Sequence, residues 1–145
     1  MEYIILLFFS FCPTQTLVVA KLSLPDKCYS MDLCPERNLL LVATAGRHIY
    51  LYDTRSLSAG PLQKRESSLK YQTRSVKFFG DGSGFVCGSV EGRVAVDFVD
   101  ASPEIQAQRY AFKCHRQATT PDPSTNAPME IVYPVNALAY HPKYN

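Results

Sequence analysis

Short apolar runs separated by turn residues recur along this chain, and two stretches of them share one pattern. Residues 30–51 and 75–96 align at a constant offset of 45 residues. At that offset serine matches serine and apolar residues match apolar or small ones, in the pairs Ser30/Ser75, Leu33/Phe78, Ala43/Gly88, Ile49/Val94 and Leu51/Val96. A repeat of this length built from short strands is typical of propeller blades. The pattern therefore predicts two adjacent blades.

The composition of the individual runs indicates β-strands. The runs are rich in β-branched and aliphatic residues, end at turn residues, and show no convincing helical period. The predicted strands cover residues 16–24, 28–33, 39–45, 48–53, 63–67, 74–79, 84–89, 93–99 and 110–116, with 28–33 and 74–79 as inner strands. We also predict one helical turn near residues 104–108, a surface loop over 117–128 and the start of a third unit at 135–140.

These elements define the predicted fold class and domain organisation. The fold is all-β, a partial β-propeller of about two four-stranded blades plus the start of a third. The blades take up residues 16–61 and 62–117, the next begins at 131–145, and an apolar segment at 1–15 stands apart. Because two and a half blades cannot close a ring, we expect an open apolar flank at each end.

The apolar segment at the start of the chain admits three interpretations. Tyr3–Cys12 is ten residues long, which is too short for a helix that spans a bilayer. A secretory signal needs a basic start, whereas here Glu2 is acidic and Lys21 is the first basic residue. We expect an apolar strand of a truncated domain or an irregular start of the reading frame. The alternative is a signal on a secreted or anchored β-rich protein or hydrolase.

Composition narrows the functional classes. The chain is 46% hydrophobic and 19% charged, which is typical of a globular protein. A formal charge of +2 gives no reason to expect general attraction to nucleic acid or membranes. The five cysteines have no CxxC spacing, so we expect buried free thiols, with a disulfide or metal framework as the alternative. The sequence contains neither a nucleophile elbow nor a phosphate-binding glycine loop.

Several strings in the chain carry a family resemblance. They are LPDKCYS (24–30), VATAGRHIYLYD (42–53), RESSLKYQTR (65–74), SVEGRVAV (89–96), SPEIQ (102–106), YAFKCHR (110–116) and YPVNALAYHP (133–142). Over about residues 16–145 the chain resembles the WD-repeat proteins of the spindle checkpoint of the Bub-three type. The sister family, the Rae-type mRNA export factors of the nuclear pore, shares some of these strings and remains the alternative. The chain has no tryptophan, so a WD dipeptide is absent and Tyr52-Asp53 stands at the equivalent position.

The resemblance implies a function and a set of residues. The family is a non-enzymatic WD-repeat adaptor without cofactors. It binds GLEBS-type segments of checkpoint kinases and phosphothreonine in the repeats of a kinetochore scaffold, at the nucleus and kinetochore and in the cytoplasm. By motif position, Arg93 of EGRVAV and Lys113 of AFKCHR are the phosphate-reading pair, which is expected to act as part of a complete propeller. Lys70, Arg74 and Glu91 are implied partner contacts near the same turns. No small-molecule substrate, metal, nucleic acid or membrane is expected.

The residues themselves leave a second interpretation open. A symmetric connection between strands 93–99 and 110–116 pairs Lys113 with Asp97 rather than with Arg93. The alternative is therefore a cross-strand Lys113–Asp97 ion pair with Arg93 in solvent. For Lys70, Arg74 and Glu91 the alternative is ordinary salt bridges that cap turns.

Overall fold

Antiparallel strands are the main regular structure in this chain. The computed structural model describes residues 3–12 and 15–141, with side chains from residue 21 onward. The first two strands, β1 (Tyr3–Cys12) and β2 (Gln15–Leu24), form a two-stranded hairpin. Leu22 and Leu24 at the end of β2 are buried against the first of two four-stranded sheets. The apolar segment Tyr3–Cys12 is thus a strand in the structure.

The first four-stranded sheet, blade 1, has the strand order β3-β4-β5-β6. Its strands are β3 (Cys28–Cys34), β4 (Leu39–Thr44), β5 (His48–Asp53) and β6 (Gln63–Glu66). All six residues of β4 are buried, because apolar layers cover both faces of this strand. The segment 63–66, predicted to belong to the second unit, instead pairs with β5 and completes the first sheet.

The second four-stranded sheet, blade 2, repeats the plan with the order β10-β9-β8-β7. Its elements are β7 (Thr73–Phe78), β8 (Gly84–Ser89), β9 (Arg93–Phe98), the single helical turn α1 (Pro103–Gln106) and β10 (Tyr110–Lys113). As in blade 1, the second strand is buried throughout. The prediction of an all-β partial propeller built from four-stranded blades is confirmed.

The chain after blade 2 departs from the predicted boundaries. The predicted strand 110–116 ends at Lys113, because His115 takes a left-handed conformation with φ of 47°. Two short strands follow, β11 (Arg116–Ala118) and β12 (Glu130–Val132), and they pair with each other. The start of the predicted 117–128 loop is thus a strand, and only the remainder is loop.

The predicted third unit lies against blade 2 without becoming a strand. Val135 is buried, its N–H donates to the Ser89 carbonyl at 3.0 Å, and Tyr140 packs edge-on against Phe79 at 5.3 Å between ring centroids. No strand is present between residues 133 and 141. Residues 142–145 of this unit lie outside the described residues.

The joint between the blades combines an apolar core with specific polar bonds. Residues from both sheets form one cluster, and four of its members, Leu41, Ala43, Cys87 and Ala95, are fully buried. The Ser30 hydroxyl oxygen accepts the Val76 N–H at 3.1 Å. The Asp32 carboxylate accepts the Phe78 N–H at 2.7 Å and a bond from Lys77 Nζ at 2.6 Å. Side chains of β3 thus satisfy backbone donors of β7.

The outward faces of the two blades carry exposed apolar side chains. On blade 1 they include Met31 and Leu33, which alternate along β3 with the residues that face blade 2. On blade 2 they include Tyr110 and Phe112 of β10, whose rings stack at 6.4 Å. Each outward face can therefore pack against a further apolar layer.

Candidate phosphopeptide-binding groove

The two residues of the predicted phosphate-reading pair lie side by side. Arg93 at the start of β9 and Lys113 at the end of β10 are direct partners in the antiparallel ladder. Partners in a ladder share one face of the sheet. That face is the one toward blade 1, because Ala95, two residues along β9 from Arg93, belongs to the core between the blades. The structure thus brings both cations to the joint between the blades.

The alternative Lys113–Asp97 ion pair is wrong. Asp97 accepts a hydrogen bond from Ser68 Oγ at 2.8 Å and lies 3.7 Å from Arg109 Nη1. The ladder is shifted by four residues along β9 from the symmetric register because the β9–β10 connection folds into α1, where Gln106 Nε2 donates to the Phe98 carbonyl at 3.1 Å. Register follows the geometry of the connection, and this connection places Lys113 opposite Arg93.

A groove of about 340 Å³ opens beside Arg93. Its lining comes from the loop between the blades, the β8–β9 turn and the outer strand: Ser68, Leu69, Lys70, Tyr71, Glu91, Arg93 and Ala111. Ala111 lies two residues before Lys113 on β10, so both side chains project from the same face. Three of the five predicted residues thus line one groove, with Lys113 on the same face of its outer strand.

Arg47 holds the interblade loop that forms one wall of the groove. Its guanidinium Nη1 donates to the carbonyls of Leu69 and Lys70, each at 3.1 Å, and Nη2 pairs with Glu66. The Leu69 N–H also donates to the Ser67 hydroxyl at 3.2 Å. These bonds fix the backbone of the loop and leave the Lys70 side chain exposed at the groove.

The β8–β9 turn forms the opposite wall and depends on Gly92. This residue has φ of +63°, and a Cβ there would lie 2.5 Å from the Cys114 carbonyl oxygen and 3.0 Å from that of His115. The Cys114 N–H in turn donates to the Gly92 carbonyl at 2.8 Å. Only glycine has both the conformation and the space for this packing. Gly92 therefore fixes the backbone of the turn, with Glu91 immediately before it and Arg93 immediately after it.

Around Arg93 and Lys113 lies a cluster of opposite charges that includes a third cation, Arg116. The side chain of Arg116 is only 17% exposed. Its Nη2 donates to the Glu91 carbonyl at 2.9 Å and lies 4.0 Å from the Glu91 carboxylate. Arg93 Nε lies 3.8 Å from the same carboxylate. The Nε atoms of Arg93 and Arg116 are shielded from solvent and find no hydrogen-bond acceptor among the described residues.

Glu130 of β12 supplies the second carboxylate of the cluster. Its Oε2 accepts a bond from Arg116 Nη1 at 2.7 Å and lies 3.9 Å from Lys113 Nζ. The Arg116 hydrogen bond, followed by the Lys113 charge, lowers the pKa of Glu130 below its ordinary value. With Arg93, Lys113 and Arg116 against Glu91 and Glu130, the cluster carries a net charge of +1.

Arg74 lies apart from the residues that line the groove. Its Nε donates to Asn136 Oδ1 at 3.2 Å, and its side chain is exposed on β7. Sequence reasoning missed two groups, Arg116 and Glu130. Arg116 is the last residue of the YAFKCHR string, so its neighbourhood could have drawn attention to it. Glu130 reaches the cluster only through the β11–β12 pairing, for which three-residue strands give no usable local pattern.

A second cavity, of about 220 Å³, lies elsewhere along the blade joint. Residues of β3, β7 and the segment after β12 line it, including Leu33, Cys34, Phe78 and Tyr140. None of the five predicted site residues contributes to this lining. We therefore take the groove beside Arg93 as the candidate functional site.

The cysteines lie outside the residues that line the groove. Cys28, Cys34, Cys87 and Cys114 are free thiols, and burial raises the pKa of Cys87 and of Cys28. Within the part of the chain that the structure describes, no three His, Cys, Asp or Glu side chains are grouped to hold a metal ion. Across those same residues, no helix has the length and apolar character needed to cross a membrane.

Comparison with known proteins identifies relatives. No family model matches the chain. It is 52% identical to mitotic checkpoint protein BUB3.1 of Arabidopsis thaliana over 120 residues, which is 83% of this chain and 32% of that protein. It is 46% identical to mitotic checkpoint protein bub3 of Dictyostelium discoideum over 121 residues, 83% of this chain and 34% of that protein. Protein RAE1 of Arabidopsis thaliana is 37% identical over 119 residues, 82% of this chain and 30% of that protein.

The matched proteins are considerably longer than this chain, which spans about a third of the length of the curated relatives it matches. Bub3 checkpoint proteins match at 42–52% identity, and RAE1 matches at lower identity. The resemblance seen in the sequence is confirmed: over about a third of their length, the chain is homologous to the Bub3 mitotic checkpoint proteins, with Rae1 as a more distant relative.

Proposed function

We propose that this chain is part of a non-enzymatic adaptor of the mitotic spindle checkpoint. In this proposal Arg93 and Lys113 bind phosphothreonine in the repeats of a kinetochore scaffold, and the neighbouring surface binds GLEBS-type segments of checkpoint kinases. The observation that carries the proposal is the cross-strand pairing of Arg93 with Lys113 beside an open groove. The protein acts at the nucleus and kinetochore and in the cytoplasm, and residues 16–145 form its propeller segment.

Charge and shape both support a phosphorylated ligand. A phosphothreonine carries nearly two negative charges and three acceptor oxygens, and an arginine fork with an adjacent lysine can meet them together. The side chains of Arg93 and Lys113 are 38% and 56% exposed, so a ligand can reach both. The groove volume of about 340 Å³ falls within the range of about 300–1,000 Å³ that is typical of ligand pockets.

The groove also offers contacts for the residues that flank a phosphothreonine. Tyr71 is an exposed aromatic side chain, Lys70 adds a cation, and Glu91 can pair with a basic ligand residue. We propose Lys70 and Glu91 as partner contacts at the groove. Arg74, which bonds Asn136, would contact a partner segment that continues over β7.

The identity values favour the checkpoint branch over the alternative. Similarity to the bub3 and BUB3.1 proteins reaches 46% and 52%, against 37% for RAE1 over nearly the same residues. A Rae-type mRNA export factor therefore remains the second candidate and not the first.

Titration of the full chain with a phosphothreonine peptide and with its unphosphorylated form, at fixed salt, tests the proposal. Replacing Arg93 by Ala removes a charge-assisted bond of about 1.5–3 kcal/mol, so affinity for the phosphorylated peptide should fall about ten- to a hundredfold. The unphosphorylated peptide should bind both proteins alike. Adding Lys113→Ala should cost little more, because both cations share one phosphate.

The variant Lys64→Ala is the charge-matched control. Lys64 lies over the Tyr50 ring at 5.8 Å, on the outer strand of blade 1, and its loss should leave phosphopeptide binding unchanged. If wild type and Arg93→Ala bind the phosphorylated peptide equally, Arg93 is an ordinary solvated side chain and the proposal fails.

A further inference from the structure

We propose that Glu130 is an affinity-determining residue of the candidate groove, an internal competitor whose carboxylate must leave the cationic cluster before a ligand phosphate can bind there. This inference rests on the proposed function. It names a residue that neither the family resemblance nor the sequence pattern assigned.

The position of Glu130 puts a ligand-like group next to the phosphate-reading pair. Its carboxylate oxygen bonds Arg116 at 2.7 Å and lies 3.9 Å from Lys113 Nζ. A carboxylate and a phosphate present acceptor oxygens to the same donors. A phosphate that engages Lys113 therefore competes with Glu130 for the same ammonium group.

The charge of the cluster gives the reason for displacement. With Glu130 in place the three cations and two carboxylates sum to +1, and with Glu130 withdrawn they sum to +2. A phosphate dianion is neutralised by the second arrangement but not by the first. If Glu130 stayed in place, its charge would repel the ligand phosphate at short range. Its withdrawal removes that repulsion.

Glu130 is free to move, and the other carboxylate is not. The Glu130 side chain is 42% exposed, and all three residues of β12 are exposed. The Glu91 side chain is 15% exposed, and the Glu91 backbone carbonyl is held by Arg116 at 2.9 Å. Withdrawal of Glu130 breaks its bond to Arg116, whose side chain is only 17% exposed, but an incoming phosphate offers acceptor oxygens to the same guanidinium in exchange. Glu130 is therefore the group that gives way.

The variant Glu130→Gln in the full chain tests the inference. Gln keeps the size and can still accept from Arg116, but it carries no charge. Three peptides are titrated at fixed salt: one with phosphothreonine, one with Asp at that position, and one with unmodified Thr. Loss of the competitor should raise the affinity of the phosphorylated peptide about two- to fivefold. The Asp peptide should gain by the same factor, because the same carboxylate leaves in both cases, and the Thr peptide should be unchanged.

Comparing the affinity gains of the phosphothreonine peptide and of the Asp peptide separates displacement of Glu130 from simple charge repulsion. If Glu130 stayed in place, the doubly charged phosphopeptide would gain about the square of the Asp peptide's factor, and that result would overturn displacement. An unchanged phosphopeptide affinity would also overturn the inference. The control Glu104→Gln removes an exposed carboxylate from the first turn of α1 and should change none of the three affinities.

Failure of this inference can be told apart from failure of the proposed function. If wild type prefers the phosphorylated peptide and Arg93→Ala abolishes that preference, while Glu130→Gln binds like wild type, only the role of Glu130 is wrong. If wild type shows no preference for the phosphorylated peptide, both the proposed function and the role of Glu130 are wrong.

Discussion

The two blades make the same turn between their second and third strands, and they use arginine there in different ways. At the 45-residue offset, Arg47 of blade 1 corresponds to Gly92 of blade 2, and their φ values are 61° and 63°. In blade 1 the arginine sits in the turn itself and bonds the carbonyls of Leu69 and Lys70. In blade 2 the turn residue is glycine, and the arginine lies one position later, at Arg93.

The difference lies in how completely each guanidinium is used inside the protein. Arg47 has two carbonyls and the Glu66 carboxylate as partners. Arg93 has only the Glu91 carboxylate at 3.8 Å, and its Nε makes no hydrogen bond within the described residues. An arginine with its donors occupied stabilises the fold, while one with donors to spare is suited to a ligand. Charge alone would not have told the two apart.

The largest expected effect is on stability, from placing a side chain at the turn position of blade 2 that carries one in blade 1. Gly92→Ala would force a side chain into a left-handed conformation and against carbonyl oxygens at 2.5 and 3.0 Å. We expect the free energy of unfolding to fall by about 2–4 kcal/mol, measured by urea denaturation. The control Gly46→Ala in blade 1 has no positive φ, and its Cβ would lie 3.0 Å from the His48 ring and 3.5 Å from the Asp26 carboxylate. It should cost under about 1 kcal/mol. Equal stability of the two variants would show that both turns tolerate a side chain.

Removing each arginine in turn should separate stability from binding. Arg47→Ala loses bonds to two carbonyls and to Glu66, and because its side chain is 35% exposed we expect a loss of about 1–2 kcal/mol of unfolding free energy. Arg93→Ala should change the unfolding free energy by about 0.5 kcal/mol or less. Thermal and urea unfolding of both variants provide the measurement. Should Arg93→Ala prove the more destabilising of the two, the contrast between the blades would be reversed.

The smallest effects concern two carboxylates that are held by different cations. Asp53 in blade 1 has its pKa lowered to about 2, first by the side-chain hydrogen bond from Arg55, and Glu130 has its pKa lowered by Arg116. Depressed pKa values mean that each pair contributes stability above the ordinary carboxyl pKa and loses it as the pH falls through the folded value. Carboxyl NMR titration should show that Arg55→Ala raises the pKa of Asp53 but not that of Glu130, and that Arg116→Gln raises the pKa of Glu130 but not that of Asp53. If either variant shifted the pKa values of both Asp53 and Glu130, the two carboxylates would not belong to separate charge clusters.

The strands of the two blades could be predicted from the sequence because alternation and burial are local signals. The predicted bounds of β5 and β8, 48–53 and 84–89, match the structure at both ends, and β4 and β9 differ by one residue. The 45-residue repeat gave the division into two blades. Turn residues bound each of these runs, so little outside the run was needed to place it.

The pairing of the outer strand and the charge cluster could not be predicted in the same way. The position of Lys113 opposite Arg93 depends on the helical turn α1 and its Gln106 bonds, which a symmetric hairpin does not include. Glu130 is 17 residues beyond Lys113 in the chain and arrives through a hairpin of three-residue strands. The family resemblance identified Arg93 and Lys113, whereas the groups that set their charge environment required three-dimensional structure.

The polar bonds at the blade joint determine whether one blade could replace the other. In the joint between blades 1 and 2, Ser30 and Asp32 accept backbone N–H groups of β7. At the same offset in the next joint stand Ser75, whose hydroxyl instead donates to the Val135 carbonyl at 2.7 Å, and Lys77 in place of the aspartate. A copy of one blade inserted at the other's place would leave Asp32, which is 13% exposed, without its donors. The two blades are therefore not interchangeable, and their order is fixed by the chemistry of the joint as well as by the continuity of the chain.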